Sequence, residues 1–463
     1  MPSIGAIKVR ARLLVCLVAV VAIGCSSHIA NSPFIKASLI NHRYDFALKR
    51  IERIDKGGSR LLYLYEKGLV LHQAGSLEHS NAAFEEAEFL YDELHTKSVS
   101  REVGSLVTSD NVIKYRGEYY EIALIHYYKI LNYLHLGDPQ GALVECRKLN
   151  HRLQVFADDE DPLHARDPFL EYFTGMVYAA YGEHNDADVS FRVALEAYGD
   201  AAHSHGVEQP HYLYCDLVDS AERRHDREAM ARYREHAYCD EHVQVPEGSG
   251  VLNLFIECGY APYKTEDNII MPLYKTELSD DIVAEDYAEV LYGRYRKPRN
   301  HELELAYLLR VAVPVMVAEP FPYADAEIRV TSGGRTHESY AAVVENVELL
   351  AFNAFEHRKR AILLKTIVRG LTKYLAKKGV EKKKGLVAGW LVNALNVATE
   401  SADTRSWTTL PATIRMSRLT LPEGTYDVEI VLYDAFGFHE ESFVIPQVKI
   451  TRGRTKFLNY RIF

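Results

Sequence analysis

Chemistry at a protein site needs a nucleophile, an acid, a base or a metal ligand in company, and in this chain the candidates stand apart. Glu257 and Cys258 in "FIECGYAP" set an acid beside a thiol, but no histidine motif accompanies them, so a nucleophile would lack its base. His203 and His205 in "AHSHG" sit two apart in a polar linker, where solvated imidazoles are the ordinary outcome. The serine elbow GxSxG, the zinc motif HExxH and a Walker loop are all absent. Cys146, Cys215, Cys239 and Cys258 show no metal-ligand spacing. No catalytic residue, metal or cofactor is expected. Cys239 and Cys258 flank the junction between the two halves of the chain, where a disulfide is one option; Cys146 is expected to be a free core thiol.

The thiol with a defined chemistry is Cys25. Lys8, Arg10 and Arg12 precede an apolar run from Leu13 to Ile23, too short for the roughly 18 residues that span a bilayer. The run Val21-Ala22-Ile23-Gly24-Cys25 resembles the bacterial lipobox, with Ala22 where leucine is usual. That resemblance implies cleavage of residues 1–24, acylation of Cys25, and a lipid-anchored protein of the cell envelope. Ser26, in place of a retaining aspartate, implies the outer membrane, facing the periplasm.

Two further sets of polar residues could bind something. The formal net charge of −10 becomes −13 without the three basic residues of the leader, which argues against nucleic acid. Against that background Glu356 to Lys384 hold eleven Lys or Arg and two acids. Lys365, Arg369, Lys373 and Lys377 fall at i, i+4 steps there, predicting a basic helical face for an anionic wall or envelope polymer; a merely solvated face is the plainer alternative. Asp403, Arg405 and Trp407 in "ADTRSWTTLP" suggest an ion pair over a packed indole that locks helices onto strands, with ligand binding as the alternative.

The elements that must position these residues are of two kinds. In "YEKGLVLHQAGSLEHSNAAFEEA", Gly68, Leu71, Gly75, Phe84 and Ala87 fall at offsets 0, 3, 7, 16 and 19; Gly175, Tyr178, Gly182, Phe191 and Ala194 repeat them. These are tetratricopeptide (TPR) offsets, in which small residues let paired helices touch. Tyr133, Gly137 and Ala142 mark a third unit with Cys146 at the phenylalanine position, and Ala47 and Ala229 mark weaker ones. A helical array over residues 25–245 follows, with a concave groove suited to a partner peptide or helix. Tyr120 and Tyr128 lie off the packing offsets and are the expected exposed groove residues.

From residue 246 to 463 short β-branched runs with edge prolines predict six or seven strands, interrupted by a helical insertion at about 346–400. The expected fold is α+β: a TPR-like α-solenoid followed by a β-sandwich. "LPEGTYDVEIVLYD" and "VKITRGRTKFLNYRI" resemble the end of a transthyretin-like or PEGA-like module. As a whole the chain resembles an uncharacterised family of bacterial TPR-containing lipoproteins, on "EIALIHYYKILNYLHLGDPQGALVECRKLN", "CGYAPYKTEDNI" and the "ADTRSWTTLP" block. The resemblance implies architecture and assigns no activity. The expected function is a non-catalytic envelope scaffold that holds a periplasmic or membrane protein, with peptidoglycan assembly as one setting and polymer binding through the basic helix as the alternative.

Overall fold

The computed structural model describes residues 27–54, 59–96, 114–158, 166–201, 206–207, 209–236, 247–274, 305–332, 335–384 and 402–463. Five helix hairpins come first: α1 (Ser27–Ile40) with α2 (Tyr44–Ile51), α3 (Arg60–Gln73) with α4 (Leu77–Thr96), α5 (Tyr119–Leu136) with α6 (Pro139–Ala157), α7 (Pro168–Ala180) with α8 (His184–Ala201), and α9 (His211–Arg223) with α10 (Arg227–Arg234). The glycine offsets act as close contacts. A β-carbon on Gly68 would collide with the Phe84 ring, and one on Gly175 would lie 2.6 Å from Phe191. Gly137 ends α5 in the left-handed region at φ 73°, and Asp138 then caps α6 by accepting from the Gly141 N–H, with Pro139 opening the helix. Cys146 occupies the phenylalanine position of this hairpin as a buried free thiol.

Strands follow: β1 (Ser249–Cys258), β2 (Tyr263–Tyr274), β3 (Leu305–Val317), β4 (Asp325–Ser332), β5 (Arg335–Tyr340) and β6 (Ala342–Asn346). After the long helix α11 (Val347–Lys384) come β7 (Thr413–Pro422), β8 (Gly424–Tyr433), β9 (His439–Ile450) and β10 (Thr455–Ile462). They form a sheet ordered β10-β1-β7-β6, a second ordered β5-β4-β8-β9, and a β2-β3 ribbon. β10 runs parallel to β1, and β7 antiparallel to it. Strand alternation gives the first sheet two buried faces. Leu252, Leu254, Ile256 and Cys258 share a core with Ile328 and Val330 of β4 and Val428, Ile430 and Leu432 of β8. Phe255 of β1, Met416 of β7 and Phe457 of β10 instead join the apolar core of the helices.

The ten described strands exceed the six or seven expected because β5 is polar, β6 is only five residues long, and the run from Gly250 to Leu273 divides into β1 and β2. Cys258 is a free buried thiol, which rules out its bridge to Cys239. Cys215 is the disulfide-bonded cysteine. With Cys146 and Cys258 both free, its partner lies outside the described residues.

Candidate functional site

The groove of the helical array is already occupied by the chain itself. Each first helix of the hairpins from α3 to α9 turns polar groups toward the strands. On α3, Glu66 accepts from the Thr408 N–H at 3.0 Å and from both the Thr408 and Thr409 hydroxyls. His72, also on α3, meets the Asn459 amide at 2.9 Å. On α5, the Tyr127 and Tyr128 hydroxyls donate to Glu257 of β1 at 3.4 and 3.3 Å. Tyr172 of α7 and Asp216 of α9 both hold the Arg418 guanidinium of β7, at 3.1 Å and 2.8 Å.

At the centre lies the segment between α11 and β7. The Trp407 indole, 1% exposed, stacks on Tyr65 with ring centres 4.8 Å apart. It also packs near Phe84 and Tyr128. Its N–H donates to Thr409 at 3.1 Å, which satisfies the one polar atom that burial would strand. The Trp407 backbone N–H donates to Glu121 at 3.1 Å. Glu121 also accepts from the Tyr115 hydroxyl at 2.7 Å and from the Glu118 N–H at 2.9 Å. Arg405 grips Asp403 through two hydrogen bonds of 2.8 and 2.7 Å and lies over the Tyr115 ring. Burial pushes the Asp403 carboxyl up, but the Arg405 hydrogen bonds and charge more than offset it and hold it below the usual range.

Burial dominates at the other carboxyls. Glu121 is raised to about 7, by burial first and then by the neighbouring Glu118. Glu257 is raised by burial despite Arg461 and the Asn459 amide. These are polar anchors inside an internal interface, closed to a substrate.

Several expectations fall in other places. Tyr120 and Tyr128 are buried, 5% and 0% exposed, instead of lining an open groove. The reason is that α5 is covered on one side by neighbouring helices and on the other by the strands, so falling off the repeat offsets does not free a side chain. Arg369 is also buried, and Lys365 half-buried, so the basic face is interrupted at its second member. The side chains of Lys373 and Lys377 lie outside the described residues, as do Cys25, His203 and His205. β1 points Glu257 to the helices and Cys258 into the two-sheet core, with the thiol raised to about 11 by burial, so the pair cannot act together.

Glu66, Glu121 and Arg418 were missed in sequence. Glu121 is the third helical residue of a capping box with Glu118, an ordinary role that hides its second one. Arg418 left one signal, a charge among the apolar residues of a strand.

A polar cluster between α4, α5 and α6 gathers Glu88, His126 and Glu145 close enough to share a metal ion. The Lys129 ammonium already lies there, 3.1 Å from both Glu88 and Glu145. Burial pushes Glu145 up, but the His126 hydrogen bond and the Lys129 and Lys148 charges overcome it and hold the carboxyl at about 2. An open cleft of about 430 Å³ on the outer face of the second sheet is lined by Asp325, Glu327, Glu338, Tyr340 and Tyr433. Its carboxylates are held by Tyr340, Arg329 and Tyr433.

No family model and no curated protein matches the chain. Among solved structures, the MamA protein is 12% identical, covering 46% of this chain and 90% of that one at a TM-score of 0.28. A Podosopora anserina protein with nearly identical TPR-like repeats gives 12%, 46% and 93%, at 0.30. BtubC (BKLC) from P. vanneervenii gives 14%, 50% and 82%, at 0.29. These values carry no argument, so the TPR-like reading of the first half rests on its own helix hairpins and their glycine contacts.

Proposed function

We propose that the chain is a non-catalytic protein-interaction scaffold of the bacterial cell envelope, tethered through acylated Cys25, whose partner docks outside the groove. The observation that carries this reading is the filled concave face: the first helices are committed to the chain's own strands and to Trp407. The second helices turn outward and present large apolar side chains, with Phe89 of α4 72% exposed and Val144 and Val155 of α6 about half exposed. A helical array that grips its own strands presents a rigid outer surface, and the second sheet adds a cleft at the far side.

The test is photo-cross-linking in cells from Phe89, Val144 and Phe436, the last 85% exposed between β8 and β9, with Tyr128 as the buried comparison and Cys25 intact. A recurrent protein adduct from the outer positions, absent from Tyr128, supports the reading. Adducts concentrated at Tyr128 would mean that a partner displaces the strands, and no adduct at any outer position would end the scaffold reading.

A further inference from the structure

The first hairpin carries a surface unlike the rest of this acidic chain. α1 is fixed to the body by its inner face: Ile35 and Leu39 are fully buried, Ser32 donates to Thr408 at 2.9 Å, and the Tyr260 hydroxyl donates to the Lys36 carbonyl at 3.3 Å. α1 itself has no acid, and on α2 the exposed Asp45 and the following Glu52 are outnumbered by Arg43, Lys49, Arg50 and Arg53. Phe34 is 54% exposed and Ile40 52%, with Phe46 of α2 51% exposed beside them. Cations cover the rings: the Arg50 guanidinium lies 4.6 Å from the Phe34 centre, Arg43 lies 4.2 Å from Phe46, and Lys49 lies 5.7 Å from Phe46. Among the described residues, Arg43, Lys49 and Arg50 have no carboxylate within ion-pair distance.

We infer that this face lies on an anionic phospholipid surface. Aromatic rings set among cations with apolar stems suit the boundary between headgroups and acyl chains, and each unpaired cation near an anionic leaflet adds attraction. Position argues the same way. α1 opens at Ser27, two residues after the cysteine assigned to the anchor, and Phe34 is about 10 Å along the helix from there. The face would sit where the anchor enters the bilayer and would fix the orientation of the body above it. This inference rests on the membrane-tethered reading above but needs no acyl chain to be measured.

The experiment uses the polypeptide from residue 26 onward, which keeps every described residue and lacks the lipid. It is sedimented with vesicles of phosphatidylethanolamine and phosphatidylglycerol, and with vesicles of phosphatidylcholine alone. Salt-sensitive binding to the anionic vesicles is expected, reduced about thirty-fold in R43Q/R50Q and about tenfold in F34S/F46S, with far-UV circular dichroism melts unchanged because Phe34, Arg43 and Phe46 are exposed and Arg50 is half-buried with no ion pair among the described residues. Equal binding to both vesicle types, no binding, or unaltered binding by the variants would overturn it. So would a concentration-dependent dimer in light scattering that F34S/F46S abolishes without any vesicle binding, which would assign the face to a second copy. Palmitate labelling of Cys25 in cells tests the tether separately, and its failure would leave the vesicle result standing.

Discussion

Glu121 shows how a single buried carboxyl reports on the interface it joins. Its folded-state value of about 7 lies above the ordinary 4.5, with burial as the first cause. The folded chain therefore binds the extra proton, and Glu121 contributes most to stability below pH 4.5 and loses that contribution as pH rises through 7. His72 works in the opposite sense: burial lowers it to about 4, so it weakens the fold as pH falls below 6.5. The melting profile of the unaltered protein mixes the two, which makes the comparison with Glu121→Gln the informative one. The stability of the unaltered chain relative to Glu121→Gln should fall by about 3 kcal/mol between pH 4.5 and pH 8, read from chemical denaturation at each pH. A flat difference would mean that the three donors around Glu121, the Tyr115 hydroxyl and the Glu118 and Trp407 N–H groups, already keep it ionised across the range.

Between elements, the largest single cross-link is Arg418 of β7. It reaches Asp216 of α9 with two nitrogens, at 2.8 and 3.0 Å, and also touches the Tyr172 hydroxyl and the Asn253 amide. Removing only the cation leaves Asp216 with the Tyr172 hydroxyl as its remaining partner, so Arg418→Met should cost about 2 to 3 kcal/mol, less than a fully enclosed pair because both side chains keep some solvent. The double change Arg418→Met with Asp216→Leu should recover most of that loss. A double variant as unstable as the sum of the singles would show that shape, not charge, sets the fit. The same seam explains what was legible in the sequence. Gly68, Gly175 and Phe84 revealed the hairpins because helix contact depends on short-range spacing, and the Asp403, Arg405 and Trp407 block stood out by composition. The destination of that block was not legible, because Trp407 meets Tyr65 and Glu121 across several hundred residues and no periodicity encodes such a pairing. For the same reason the sequence pointed to Tyr120 and Tyr128 as exposed: their second cover is a sheet made elsewhere in the chain.

At the scale of the whole molecule, the helical half and the strand half are not independent. One apolar core runs from Leu61 and Phe84 through Tyr127 and Phe173 to Phe255, Trp407, Met416 and Phe457, so each half completes the other's interior. A TPR-like array that stood alone would melt by fraying of its terminal hairpins, because each repeat touches only its neighbours. Here α3, α5, α7 and α9 are all tied to the same sheet and loop, and opening one hairpin exposes part of the common core. The protein from residue 26 should therefore unfold in one calorimetric transition, with calorimetric and van't Hoff enthalpies agreeing closely. Trp407→Ala tests the cause, since it removes the largest fully buried side chain at the meeting point. Loss of so large an aromatic should cost about 3 to 5 kcal/mol. It should also separate the single calorimetric transition into two resolved peaks. A lowered but still single transition would mean that Arg418, Glu66 and Glu257 are enough to couple the halves without the indole. Two transitions in the unaltered protein would mean that the shared core is too weak to join them.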